Sequence, residues 1–380
     1  MTAMNHPMLD AARALAPKIR SCAGQIEAER ELPRPLFDEL ADAGLFKLAL
    51  PRSLEGVEID LPSYIEVLEE LGKADASTAW VVNQCSIFAT YAARMPHEIA
   101  REIWTDTPRC VVANTAMPTS EAAPVPGGYR VTGRHRFSSG CRHASWFAAR
   151  AWIPDNGEPV QKFLFVPAAE VEVLDTWKVR GMRGTGTHDF AVDGAFVPAE
   201  RTVRQRGAAL VESGPLYRLS IVLLFSCGDA ALALGAAQSC LEAFVELAGA
   251  KTPHSMQAML RDQPAVQAAV GQTLAALASG RAYLRAAVRE LWAEAASEGP
   301  LTLDRRVALR LATTHCIRTA VQVVETLYSA SGTTAIYEGN VIQRHFQDLH
   351  VISQHQQARQ VAYELAGKHG LGLEIETARL

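Results

Sequence analysis

The sequence lacks most marks of a secreted, membrane-spanning or nucleotide-fingerprint protein. Its seven cysteines (22, 85, 110, 141, 227, 240 and 316) are scattered, with no C-x-x-C pair and no zinc spacing. An odd, dispersed set fits reduced thiols and a cytoplasmic location. Residues 1–7 have no basic segment and no apolar run after it, so no signal peptide is expected. The most apolar stretch, residues 221–237, is short for a membrane span and is interrupted by Asp229, so a buried bundle helix is expected. Neither charge sign dominates. With 37 Lys+Arg against 41 Asp+Glu, the net charge of −4 argues against nucleic acid or an anionic membrane as main partner. No Gly-rich fingerprint follows a strand and opens a helix, so no Rossmann-type NAD(P)H site is expected. No metal site is expected either: His143, His188, His254 and His315 lack partners at ligand spacing. His143 and His188 read as surface or strand-end residues.

What is present is an ordered change of texture. A content of 48% hydrophobic and 21% charged residues over 380 positions allows two or three units with sizeable cores. Residues 1–109 read as helical. Pro35 opens and Gly44 closes one helix, Pro62 and Gly72 punctuate another, and Asp75 or Ser77 can cap a third. Residues 110–205 read as short strands at 110–115, 127–133, 146–152, 162–166, 171–175 and 190–197, separated by Gly, Pro and Asp. That spacing indicates an antiparallel barrel or sandwich. Residues 206–380 are Ala- and Leu-rich, with helical stretches at 216–248, 264–296, 304–331 and 341–367, which implies a four-helix bundle. The fold class expected is α+β.

The densest set of titratable side chains lies at 336–355. On a helical wheel from Val341, Arg344 and Asp348 form an i,i+4 pair, and His355 falls in the same stripe. Alone, that pattern is an ion pair on a helix surface and a satisfied histidine.

The order helical, β, bundle resembles the acyl-CoA dehydrogenase superfamily. The resemblance rests on Leu40-Ala-Asp-Ala-Gly-Leu-Phe with Leu50-Pro-Arg-Ser-Leu-Glu-Gly, on Trp177-Lys-Val-Arg-Gly-Met-Arg-Gly-Thr-Gly-Thr-His-Asp189 with Val197-Pro198, and on Asp262-Gln-Pro-Ala-Val-Gln267, in the right order and spacing. It implies an N-terminal helical domain, a central antiparallel β-barrel domain and a C-terminal four-helix bundle. It also implies a flavin between β-domain and bundle, and homotetramers. The superfamily divides into dehydrogenases, with a Glu base and FAD, and two-component monooxygenases of the 4-hydroxyphenylacetate hydroxylase and dibenzothiophene monooxygenase type. The latter use reduced flavin (FMN or FAD) from a separate NAD(P)H:flavin reductase, with O₂ added at flavin C4a as a hydroperoxide.

Three stretches point to the monooxygenase branch. Tyr129-Arg-Val-Thr-Gly-Arg-His-Arg-Phe-Ser-Ser-Gly-Cys-Arg-His-Ala-Ser-Trp146 resembles its β-domain pattern, with His135 standing where Trp is usual. Ser138-Ser139-Gly140 alone reads as a turn. In this context Ser139 maps to the family's catalytic serine, able to hydrogen-bond flavin N5. Asp75-Ala-Ser-Thr-Ala-Trp80 resembles a second passage and equally fits a capped helix with a core Trp. Ile336-Tyr-Glu-Gly339 looks like the string that carries the dehydrogenase Glu. Alignment on Gly332 and Asp348 instead puts that position at Gln356, beside His355, and Gln cannot abstract a proton. Arg344 to His355 then resembles the monooxygenase helix whose last His faces the flavin, with Gln347 where Arg is usual.

The resemblance implies His355 and Ser139 as catalytic residues. Asn114, Thr115, Ser138, Trp146 and Gln354 follow as flavin contacts, and Asn83 and His350 as substrate contacts. The function implied is oxygenation of a small, aromatic substrate. The alternatives are an acyl-CoA dehydrogenase with Glu338 as base and a non-catalytic scaffold.

Overall fold

The structure, a computed structural model, describes residues 6–155, 157–254, 257–377 and 380. Five helices come first: α1 Pro7–Glu29, α2 Arg34–Asp42, α3 Leu61–Ala74, α4 Ala76–Phe88 and α5 His97–Trp104. Their starts follow local chemistry. Pro stands at the first turn of α1, α2 and α3, where the missing N–H costs nothing. Asp75 caps α4 by accepting from the Thr78 N–H at 2.7 Å.

Eight strands follow: β1 Val112–Asn114, β2 Glu121–Val125, β3 Gly128–Ser138, β4 Trp146–Asp155, β5 Glu158–Pro167, β6 Val171–Leu174, β7 His188–Pro198 and β8 Thr202–Arg204. They form two four-stranded sheets, ordered β1-β4-β5-β8 and β2-β3-β7-β6. Ala113, Phe147, Leu164 and Val166 of one sheet pack with Val131, Phe190, Val192 and Val197 of the other in one buried core. Pairing is antiparallel except for β1 and β4, which run parallel from Val112↔Trp146, because the β2–β3 hairpin intervenes in the chain.

The last third holds α6 Ile221–Ala250, α7 Pro264–Ala295, α8 Leu303–Ser331, α9 Val341–Ile352 and α10 Val361–Gly370. Helix α6 is long and apolar enough to cross a membrane, yet 78% of its apolar window is buried inside the protein. It is packed on α3, α4, α7, α8 and α9 and joins the N-terminal helices to the bundle. The α3–α6 approach is close: a Cβ at Gly235 would lie 2.1 Å from the Glu69 carbonyl oxygen.

One expected helix is broken. The stretch 341–367 is not continuous: α9 stops at Ile352, a 3₁₀ turn spans Gln356–Ala358, and α10 restarts at Val361. The cause is tertiary. Arg310 donates to the Gln356 and Gln357 carbonyls at 3.0 and 2.8 Å, Thr314 to Gln357 at 2.9 Å, and Arg318 to Ala358 at 2.8 Å. Carbonyls bonded to α8 side chains have partners outside their own segment, so a turn survives where local propensity favours helix.

Candidate active site

The break decides where His355 lies. It is not on the α9 face with Arg344 and Asp348 but in the turn after that helix, half-buried against α4 and α6. Its Nδ1 lies 3.3 Å from Asp229 Oδ2, and Asp229 is buried on α6. The other carboxylate oxygen, Oδ1, accepts from Asn83 Nδ2 at 2.8 Å. Asn83, wholly buried on α4, also donates to the Phe225 carbonyl at 3.3 Å and accepts from the Tyr64 hydroxyl at 2.6 Å. A buried carboxylate costs several kcal/mol unless paired and hydrogen-bonded. Asn83 supplies a hydrogen bond to one oxygen; Oδ2 makes no hydrogen bond among the described residues, and its 3.3 Å approach to His355 Nδ1 is a contact between the two groups only. Burial and the neighbouring Asp229 charge push the Tyr64 phenol well above its ordinary range, so Tyr64 serves as a donor.

A second arm enters from the β-domain. The His355 ring meets Trp80 edge-on at 5.1 Å. The Trp80 indole N–H donates to Ser139 Oγ at 3.1 Å, and Ser139 Oγ lies 2.9 Å from Thr187 Oγ1. Thr187 in turn lies 2.6 Å from Thr185 Oγ1. The serines reach this position through an irregularity of β3: its register with β7 shifts between His135 and Ser138, and Phe137 holds a left-handed φ of 62° while exposed. Ser138 is fully buried and its Oγ has no partner among the described residues. An unpartnered hydroxyl and a shared one at the seam of three chain regions are what a flat heteroaromatic cofactor with ring nitrogens and carbonyls needs.

The other expected site residues fall differently. Thr115 is buried and donates to the Arg136 carbonyl at 3.2 Å, and Asn114 ends β1, half-buried. Trp146 packs with Phe88, Phe163 and Phe165 in a separate apolar cluster, under the Arg201 guanidinium at 5.2 Å. Its contacts are those of a core residue. Gln354 is exposed and donates to Oγ of its neighbour Ser353 at 3.1 Å. His350 sits on the outer side of α9, 3.1 Å from Glu325 and with its ring tilted at 40° to that of Phe346, away from the Trp80–Asp229 group. Glu338 is exposed in the turn after Ile336. His188 is buried rather than at the surface; its Nδ1 accepts from the Thr176 and Trp177 N–H groups at 3.2 and 3.1 Å.

The expected Arg344–Asp348 pair does not form. Asp348 is buried and Oδ1 accepts from the Met182 N–H at 2.5 Å, tying α9 to the 180–187 loop. Burial, with Glu27 nearby, pushes its carboxyl well above the carboxylate range. Burial and Asp75 push Glu27 up to about 6. His135 is buried between Ser120 Oγ (2.6 Å) and Thr119 Oγ1 (3.0 Å) and stacked on Phe190. It is a β-domain core residue.

Sequence reasoning missed Asp229, Tyr64, Thr185 and Thr187. The signal for Asp229 was its position as the one charge in the apolar run 221–237. The threonines lie inside the quoted Trp177–Asp189 passage.

Two domain models match this chain: acyl-CoA dehydrogenase, N-terminal domain, over residues 5–105, and acyl-CoA dehydrogenase, C-terminal domain, over residues 227–360. Together they cover well over half of it. The chain belongs to the acyl-CoA dehydrogenase superfamily. Within it, the similar proteins are oxygenases. Indole-3-acetate monooxygenase of Pseudomonas putida is 27% identical over 92% of this chain and 89% of its own. The FADH(2)-dependent resorcinol hydroxylase, oxygenase component, of Rhizobium sp. is 27% identical over 95% of this chain and 93% of its own. The structure of XiaF from Streptomyces sp. in complex with FADH2 and glycerol superimposes with a TM-score of 0.89 at 25% identity, over 97% of this chain and 95% of that one.

Proposed function

We propose that this chain is the oxygenase component of a two-component flavin monooxygenase, and that the Asp229–His355–Trp80–Ser139 constellation is where it inserts oxygen into a small aromatic substrate. The observation that carries the reading is one continuous contact series. It runs from Tyr64 and Asn83 through Asp229 to His355, and across Trp80 to Ser139.

Bound between Ser138, Ser139 and His355, reduced flavin would supply the two electrons that activate O₂. The chain's own residues do the rest. Asp229 faces Nδ1 of His355, so the ring is held in one orientation with Nε2 free to point at a bound molecule. Such a histidine can hold a phenolic proton or hand one over as the second oxygen atom leaves as water. Trp80 fills the space beside the ring and, by donating to Ser139, leaves the serine hydroxyl proton available to Thr187 or to the cofactor. Thr115 and Asn114 would add lesser contacts to the flavin, and Asn83 holds Asp229 instead of touching substrate.

A separate NAD(P)H:flavin reductase as partner is supported by the missing dinucleotide fingerprint and by the relatives' description as an oxygenase component. A homotetramer is carried over from the resemblance, and a cytoplasmic location from the dispersed free cysteines. FMN and FAD are both accommodated by the ring contacts named.

The reading is tested by supplying reduced FMN or FAD, O₂ and a panel of aromatic substrates including indole-3-acetate and resorcinol. His355→Ala should fold as the wild type and divert turnover from product to H₂O₂. Unchanged product yield would remove His355 from the reaction.

A further inference from the structure

The loop at 180–187 is clamped at Met182. This residue has a left-handed φ of 54° although it carries a side chain, a conformation that persists only where the surroundings impose it. Both of its main-chain polar groups are taken. The N–H donates to Asp348 Oδ1 on α9 at 2.5 Å, and the carbonyl accepts from the Thr185 hydroxyl at 2.9 Å and the Trp177 indole N–H at 3.0 Å. Two glycines admit the close fit. A Cβ at Gly181 would lie 2.3 Å from the Gln347 carbonyl oxygen of α9, and one at Gly184 2.0 Å from Ile26 Cγ2 of α1.

The Thr185 hydroxyl sets the direction of every hydroxyl beyond it. Each has one proton to give. Thr185 gives its proton to the Met182 carbonyl, so at 2.6 Å it accepts from Thr187. Thr187 then accepts from Ser139 at 2.9 Å. Trp80 donates to one Ser139 lone pair at 3.1 Å. Ser139 therefore keeps one lone pair, and no proton, for a bound molecule. Thr185, Thr187 and Ser139 are buried, where an unmade hydrogen bond is costly, and that cost holds the series in this direction.

We propose that Asp348 is a positioning residue for Ser139. By holding the Met182 peptide it fixes the carbonyl on which the hydroxyl series ends, and so presents Ser139 as an acceptor to an N–H group of the reduced cofactor. The proposal rests on the flavin reading above. Asp348 serves as an acceptor rather than as a charge: burial, with Glu27 and Asp75 nearby, pushes its carboxyl towards the neutral form.

The test is anaerobic equilibrium dialysis of the full chain against reduced FMN and against reduced FAD, which reads affinity apart from turnover. Asp348→Ala and Ser139→Ala should each weaken binding of the tighter flavin roughly three- to tenfold, the worth of one hydrogen bond. Asp348→Asn keeps the acceptor and should restore near-wild-type affinity. Asp348→Ala with Ser139→Ala should lose no more than Ser139→Ala alone, because the two substitutions break one series. Gly181→Ala, which pushes the loop off α9 with Asp348 intact, replaces Asp348→Ala in the same cycle if that variant does not fold. Wild-type affinity in Asp348→Ala, losses that multiply in the double variant, or an Asp348→Asn loss as large as that of Asp348→Ala overturns the proposal while the flavin reading stands. A wild type that binds neither reduced flavin overturns that reading and the proposal with it.

Discussion

Asp229 Oδ2 and His355 Nδ1 lie 3.3 Å apart, although 126 positions separate the two residues and one belongs to the most apolar helix of the chain. A carboxylate in that helix is costly unless something uses it. Here it lies against a half-exposed imidazole, and Asn83 donates to its other oxygen.

The first expected outcome concerns Gly228. A Cβ there would lie 2.1 Å from Asn83 Oδ1. Gly228→Ala should therefore displace Asn83 from Asp229 while α6 keeps its helix. Turnover with reduced flavin should fall roughly tenfold or more, the range found when an outer partner of a reactive group is lost. Retained activity in a folded Gly228→Ala protein would show that the Asn83 contact does not matter.

Asp348 separates acceptance from charge. Its carboxyl takes the Met182 N–H and is pushed towards the neutral form. Asp348→Asn keeps an acceptor and should be close to wild type in urea unfolding. Asp348→Ala leaves a buried N–H without a partner and should cost about 1–3 kcal/mol.

Acid stability follows from the buried imidazoles. Burial lowers His135 and His143 to about 4 and His345 to about 3. Each therefore binds its proton more readily in the unfolded chain, near pH 6.5. The stability is present above that pH and is lost as pH falls through about 6.5 to 4. Glu27 and Asp348 act with opposite sign, since their folded pKa values are raised and their contribution fades as pH rises. His188, also lowered by burial, and the carboxylates of Asp42, Asp155, Asp175 and Glu364, lowered by their cationic partners, act in the same direction as the three imidazoles, so the sum is a loss towards acid. His345→Leu removes one of the three, so the stability difference between pH 7 and pH 5 should shrink by about 2 kcal/mol. An unchanged difference in urea unfolding at the two pH values would contradict the burial argument for His345.

The order of regions was readable in the sequence because texture, caps and motif spacing all agreed. Asp75 as a cap, the serines at the end of β3 and His355 in register with Asp348 all came from local strings. What was not readable depended on distant partners. The break after Ile352 is held by Arg310, Thr314 and Arg318 on another helix, and no local Pro or Gly announces it. The helical wheel drawn through 341–355 therefore placed His355 on the wrong surface; Arg344 and Asp348 do lie one turn apart in α9, but Asp348 is taken by the Met182 N–H of a distant loop. Trp146 matched a motif, yet its neighbours across the sheet bury it in apolar core. Asp229 looked like a blemish in a core helix because its partners lie on α4 and in the turn after α9.

The most direct measurement is the rate at which oxidised flavin reappears when protein loaded with reduced flavin is mixed with air-saturated buffer, read from the flavin absorbance without substrate. If the Asp229–His355 pair governs the oxygen chemistry, His355→Ala and Asp229→Asn should both shift that rate by roughly tenfold or more, in the same direction, while His350→Ala leaves it unchanged. Wild-type rates in both variants, with flavin still bound, would contradict the assignment.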